Sequence, residues 1–291
     1  MIDIIEANRK YPDDRIECLD KGFVRLVDVM PRLAESGDLA TGDFSIVQAA
    51  RVSYGKGTKQ VNQDRGLIRY LMRNWHTSPL EMAEVKLHVK MPIFVARQWV
   101  RHRTANINEY SGRYSEMSSD FYLPDQDRIQ KQSSNNKQGS GESFDAKTSA
   151  DMVSSMEEGQ KIAYEEYTKY MDSDMARELS RINLPVSNYT EWYWKCDLMN
   201  LFKFLKLRLD SHAQYEIRVY AEAILNLIEP LFPLACEAFS DYWLNGESFS
   251  KQQMEILRDV LKDHQDILDK NDSMDISLRE INELKSKLGI I

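Results

Sequence analysis

Hydrophobic residues recur along this chain with two periods, and the switches between them mark out the elements. GFVRLVDVM, from Gly22, is valine-rich and sets Val24 and Leu26 against Arg25, which predicts a strand. DFSIVQAARVS, from Asp43, moves to helical spacing with Asp43 as its predicted N-cap, and Gly55 and Gly57 close it. DRGLIRYLMRNW, from Asp64, places Leu67, Ile68, Leu71 and Met72 on one helical face. HTSPLEM then turns around Pro79. EVKLHVKMP, from Glu84, alternates Val85, Leu87 and Val89 with Lys86, His88 and Lys90, as a half-buried strand does. IFVARQWVRH reads as a helix that starts behind Pro92.

The second half is mostly helical. QDRIQKQSSNNKQGSGESFDAKTS, from Gln126, has too few large apolar groups to order itself and is expected to be an exposed, mobile insertion over 126–149. A helix over about Ala150–Met171 follows, then a short one before Pro185. SNYTEWYWKC is aromatic and β-prone. The longest helical signal runs from Asp197 to about Glu229, with a break expected near Asp210–Ser211. It is apolar on most faces, as in a central helix or one packed on another subunit. From Phe249, two charged helices form a peripheral appendage. The expected organisation is a mobile lead-in over 1–21, a main domain over 22–248 and a helical appendage over 249–291. The mixture of elements predicts an α+β fold.

Composition narrows the function. The formal net charge of −8 excludes nucleic-acid binding through bulk charge. No apolar run reaches the roughly 18 residues of a membrane span, and the N-terminus lacks a signal-peptide pattern. Cys18, Cys196 and Cys236 include no CxxC pair, which favours a reducing, cytoplasmic home. GxGxxG after a strand, GxxxxGK[ST], HExxH and GxSxG are all absent, so no Rossmann, P-loop, zinc or serine-hydrolase site is signalled, and no metal is expected.

Against that acidic background, RHRTANINEYSGRYS, from Arg101 to Ser115, holds three arginines, a histidine and one carboxylate, Glu109. Arginine forks grip phosphate and carboxylate bidentately and stay charged. Ser111 and Gly112 add a hydroxyl and a backbone that can approach an anion. The alternative is pairing with surface acids, but the residues between the cations are hydrogen-bonders such as Asn106, Asn108 and Tyr110. A second constellation, RLDSHAQYEI, puts Arg208 and His212 four apart, on one face of the expected helix. A third gathers His76, Ser78 and Glu81 around a proline turn. The residues alone therefore describe a binder of polyanionic small molecules.

RHRTANINEYSGRYS resembles the signature of the flavin-dependent thymidylate synthases: Arg-His-Arg, seven residues, then Ser. SPLE, FVARQWVRHR, SRINLP and LRLDSHAQYEI occur in that family's order, and the resemblance covers roughly Gly22 to Tyr242. It implies a central β-sheet flanked by helices, with a long central helix, in a homotetramer whose sites are shared between subunits. It implies methylation of dUMP to dTMP, with methylenetetrahydrofolate as carbon donor, FAD as hydride carrier and NADPH as reductant. By matching position, Ser78, Arg101, His102, Arg103, Glu109, Asp197, Leu198, Met199, Lys203 and His212 are expected at FAD. Gln98, Arg101, Glu109, Tyr110, Ser111, Gly112, Arg113, Arg181 and Arg208 are expected at dUMP, with Arg208 activating the uracil and His76 near the flavin and folate rings. Lys203 stands where many members have Asn or His, and Asp197 where many have Asn. The competing expectation is a non-catalytic nucleotide- or flavin-binding protein of the same fold.

Overall fold

The computed structural model describes residues 15–31, 42–52, 64–134, 139–261 and 276–290. Five strands build the central sheet: β1 (Ile16–Cys18), β2 (Gly22–Met30), β3 (Glu84–Pro92), β4 (Asn106–Glu109) and β7 (Tyr189–Asp197). They lie in the order β1-β2-β3-β7-β4, each pair antiparallel. The alternation sets the register. Val85 faces Cys196, Leu87 faces Trp194 and Val89 faces Trp192, so one face of β3 and β7 is continuously apolar and buried.

Helices are interspersed with the strands, and several of them pack on that face. The helices are α1 (Asp43–Val52), α2 (Asp64–Arg73), α3 (Ile93–Trp99), α4 (Ala146–Asp172), α5 (Arg177–Ser180), α6 (Leu198–Arg208), α7 (Tyr215–Ile228), α8 (Pro233–Phe239), α9 (Lys251–Leu261) and α10 (Leu278–Leu288). The centre of the core is Trp99 at the end of α3. Its ring stacks on Phe204 of α6 at 4.7 Å and meets Trp192 and Trp194 edge-on at 5.6 and 5.5 Å. Truncating such a side chain costs about 3–5 kcal/mol.

Several expectations change. A strand, Ile16–Cys18, lies inside the expected lead-in, because Ile16 and Cys18 pair with Val24 and Gly22. The carboxylate of Asp43 accepts the backbone N–H groups of Leu234 and Ala235, and so serves the start of α8 rather than only its own helix. Gly55 and Gly57 lie outside the described residues. The insertion carries a hairpin, β5 (Gln130–Gln132) with β6 (Ser140–Ser143), and its ends are anchored: Ile129 and Ser149 are buried.

The helical signal from Asp197 to Glu229 breaks where expected, near Asp210–Ser211, into two helices, α6 and α7, joined through a turn over 209–214. Their apolar faces are covered within this chain. Leu201, Phe202, Phe204 and Leu205 are buried, as are Ile217, Tyr220 and Ile224. Breadth of apolar surface there reflects two helices wedged on one sheet and does not call for a second subunit. The longest helix is instead α4, with 27 residues and mostly exposed side chains. The last helix, α10, is bound to α2 by ion pairs from Arg69 and Arg73 to Glu280 and Glu283.

Candidate active site

Trp99 locks the end of α3, and the chain then leaves the helix through Arg101 N–H donating to Gln98 (3.3 Å) and His102 N–H donating to Trp99 (2.9 Å). Arg101 and Arg103 emerge from this firm base into the open, and both are exposed. Among the described residues neither side chain has a hydrogen-bond or ion-pair partner. His102 is half-buried. Burial first, then Arg208, then Lys203 push its pKa below the ordinary imidazole value, while Asp197 opposes them. The ring is therefore neutral near pH 7 and acts as a hydrogen-bonding group, 3.1 Å from the Thr104 hydroxyl. The cations of the cluster are the arginines.

Beyond β4 the chain turns through Ser111, Gly112 and Arg113. Gly112 is buried, and a Cβ there would stand 2.5 Å from the Met117 sulfur and 3.0 Å from Arg181 Cδ. The absence of a side chain there leaves room for Arg181, from the turn after α5, to lie against this loop; a larger residue would push Met117 and Arg181 aside. The loop is held from α4: Met117 N–H donates to the Tyr167 hydroxyl at 2.9 Å, and the Tyr164 hydroxyl donates to the Met117 carbonyl at 3.4 Å. The Ser111 hydroxyl accepts the Arg113 N–H at 3.3 Å. Arg113 meets Glu178 at 3.5 Å, but both side chains are more than half exposed, where an ion pair is weak. Glu109 accepts a hydrogen bond from Thr190 at 2.8 Å, and Tyr110 N–H donates to the Glu191 carbonyl at 2.8 Å.

Arg208 closes the arrangement. It is the last residue of α6, and its Nη2 donates to the Gln98 carbonyl at 3.2 Å, which joins segments 110 residues apart. Its Nε is buried without an acceptor, and burial lowers its pKa. A buried donor left unmade costs about 1–3 kcal/mol. The Gln98 side-chain amide donates to that of Gln214. Gln214 and Asn183 line a cavity of about 690 Å³ with Phe94, Arg128 and Glu216.

Other expected residues fall elsewhere. His212 is on the turn, not on a helix face shared with Arg208. It is exposed, with its backbone N–H and Nδ1 against the Asp210 carboxylate at 2.7 and 2.9 Å. Leu198 and Met199 are fully buried, so their side chains belong to the core and only their backbone can face a ligand. Asp197 is the N-cap of α6, accepting the Asn200 N–H at 2.8 Å. Lys203 is exposed on the next turn. His76 and Ser78 are exposed on the loop after α2. Sequence reasoning missed Thr190, Tyr167 and Met117. Nothing local marks Thr190 and Tyr167, which reach the site across 81 and 50 residues, and Met117 lies just past the Arg101–Ser115 stretch as an ordinary apolar residue. Among the described residues no group of three His, Cys, Asp or Glu could hold a metal ion, and no helix is long and apolar enough to cross a membrane.

The fold and this geometry define an α+β protein that presents unpaired arginine forks, a glycine turn and an orphaned guanidinium donor to anionic ligands. The description "Thymidylate synthase complementing protein" matches residues 38–234. A flavin-dependent thymidylate synthase of Wolbachia pipientis wMel is 54% identical over 244 residues, 84% of this chain and 82% of that one. One of Dictyostelium discoideum is also 54% identical, over 82% of this chain and 78% of its own. A crystal structure of the UMP/dUMP methylase PolB from Streptomyces cacaoi, bound with 5-Br dUMP, superposes with a TM-score of 0.68 at 34% identity, covering 80% of this chain and 100% of that one. The chain belongs to the family of flavin-dependent thymidylate synthases.

Proposed function

We propose that this protein is a cytoplasmic flavin-dependent thymidylate synthase that methylates dUMP to dTMP, using methylenetetrahydrofolate, FAD and NADPH. The observation that carries the proposal is the orphaned Nε of Arg208, beside Gln98 and near neutral His102, in a site whose Arg101, Arg103 and Arg181 have no partners among the described residues. These groups fit two phosphorylated ligands. Arg101 and Arg103 hold the FAD pyrophosphate, with His102, Ser78, Glu109, Lys203, His212 and the backbone at Asp197, Leu198 and Met199 around the rest of the cofactor. Ser111, Gly112, Arg113 and Arg181 hold the dUMP phosphate, with Arg101 reaching dUMP as well as FAD and with Gln98, Glu109 and Tyr110 beside the sugar and base.

Bound reduced flavin supplies the hydride. Arg208 faces the uracil and stabilises negative charge that builds on the ring, where a half-buried fixed cation acts more strongly than in water. His76 orients ligands on the flavin side. Ser111 binds phosphate, since its hydroxyl lies on a glycine turn beside Arg113 with no base hydrogen-bonded to it among the described residues. We assign a homotetramer with shared sites, supported by Arg101, Arg103, Tyr110 and Arg113 lying on an open face of the single chain.

The test is dTMP formation from dUMP and methylenetetrahydrofolate with NADPH. Formation that requires dUMP and flavin supports the proposal. Protein that takes up FAD and dUMP without forming dTMP points to the non-catalytic binder.

A further inference from the structure

His76 is held from both sides by residues that the C-terminal helix fastens. Its ring stands edge-on to Tyr70 of α2 at 5.4 Å and 88°. The Arg279 guanidinium lies 4.7 Å from the centre of the Tyr70 ring, and that of Arg73 5.9 Å from it. On the other side of His76, Trp75 adopts φ +58°, a conformation unfavourable for a bulky side chain. Stacking on Trp243 at 4.5 Å holds it there. Trp243 lies in a π-helical turn, Ser240–Leu244, and its neighbour Tyr242 donates a hydrogen bond to Glu280.

Glu280 is the junction of these contacts. One carboxylate oxygen completes the capping box of α10, accepting from the N–H and hydroxyl of Ser277 at 2.9 and 2.8 Å. The other accepts from Arg69 and Arg73, both at 3.0 Å, and from Tyr242. Arg73 also grips Glu283 at 2.7 and 3.1 Å. The start of α10 is therefore built at the same atoms that hold α2 and the π-turn. Both flanks of His76, Tyr70 and Trp75, are tied to that point.

We propose that α10 is a positioning element for the active site: Glu280 and Arg279 set the His76 ring through Tyr70 and the Tyr242–Trp243 turn. Neither residue touches a ligand. The functional consequence rests on the placement of His76 at the flavin and folate side, whereas the coupling itself does not.

The experiment uses the full chain with ¹³C-labelled histidine, the His76 ring signal being assigned with His76→Gln. Arg279 is exposed, with 69% of its side chain accessible, so Arg279→Ala leaves the fold intact. Its expected effect is a shift of the His76 ring signal, partly restored in Arg279→Lys, which keeps a cation over the Tyr70 ring. Glu280→Gln, checked for folding by circular dichroism, shifts the same signal further. In turnover assays both variants raise KM for methylenetetrahydrofolate several-fold and leave dUMP affinity unchanged. A His76 ring signal identical to wild type in Arg279→Ala and Glu280→Gln would overturn the coupling. A shifted signal with unaltered KM and flavin spectrum would overturn the positioning role. Wild-type protein that binds no flavin would defeat the functional assignment while the coupling stood.

Discussion

Two groups of arginines on this chain look alike in composition and differ in what surrounds them. Arg65, Arg69 and Arg73 on α2 reach Glu237, Asp241, Glu280 and Glu283, and Arg69 is buried with bonds of 3.0, 3.1 and 2.5 Å to three different acids. Arg101, Arg103 and Arg181 meet no acid among the described residues. The first group holds protein to protein. The second has its donors free for a ligand. Counting partners, not cations, separates architecture from site in an acidic protein.

The largest effect is expected in the paired group. Arg69→Ala removes a buried guanidinium bonded to three carboxylates, two of which keep Arg65 or Arg73, and should destabilise the fold by about 3–5 kcal/mol, read from denaturant unfolding. A loss below about 1 kcal/mol would mean that the network contributes little to stability. Next comes Arg208, which shares features of both groups, being half-buried yet left with an orphaned donor. Arg208→Lys keeps the charge but not the planar fork. It should fold, retain FAD and lose on the order of 10²–10³ in single-turnover rate, the magnitude typical of a lost electrostatic stabiliser. A rate near wild type would remove Arg208 from the chemistry.

Acid should discriminate the groups as well. Burial alone would raise Glu280, but its bonds from Tyr242 and Ser277 and the nearby Arg69 outweigh it and hold the carboxyl at about 2, against an ordinary 4.5. Arg73 holds Glu283 down, and Arg65 holds Glu237 down. A carboxyl whose folded pKa is depressed contributes stability above its unfolded value and loses it as pH falls through the folded one. The network at α10 should therefore weaken between about pH 4.5 and about pH 2. Melting temperature should fall more steeply over that window in wild type than in Glu280→Gln, and equal slopes would contradict the assignment. Smaller again is Ser111→Ala. Loss of one hydroxyl contact should weaken dUMP binding by about 1 kcal/mol and leave dTMP synthesis measurable. Abolished chemistry with dUMP affinity intact would instead make Ser111 a nucleophile.

The sequence made much of this legible where the signal was local. The alternation in Glu84–Pro92 located a core strand, and the Arg101–Ser115 stretch located the cluster, because an excess of cations over acids is visible within fifteen residues. It was blind to partners at long range. The roles of Arg69 and Arg73 carry no local mark, since Glu280 lies 211 and 207 positions away. The break expected near Asp210–Ser211 is where the turn lies, but reading His212 on one face with Arg208 carried the helix across it, because Leu205, Leu209 and Ile217 stay with the core on both sides. The hairpin at Gln130–Ser143 has no apolar alternation of its own, and its start is pinned by buried Ile129 and by Arg128, 4.0 Å from the Tyr215 ring.

The contrast between paired and unpaired arginines is tested most directly by measuring folding and ligand affinity together in Arg101→Ala. Arg101 is exposed and has no described partner, so its unfolding free energy should stay within about 0.5 kcal/mol of wild type. Affinity for FAD and dUMP, titrated on the same preparation, should fall at least about tenfold, as expected when a charge-assisted bond of roughly 1.5–3 kcal/mol is removed. A variant that loses stability while binding both ligands as wild type would place Arg101 with the structural arginines and contradict the assignment of the unpaired forks to phosphate.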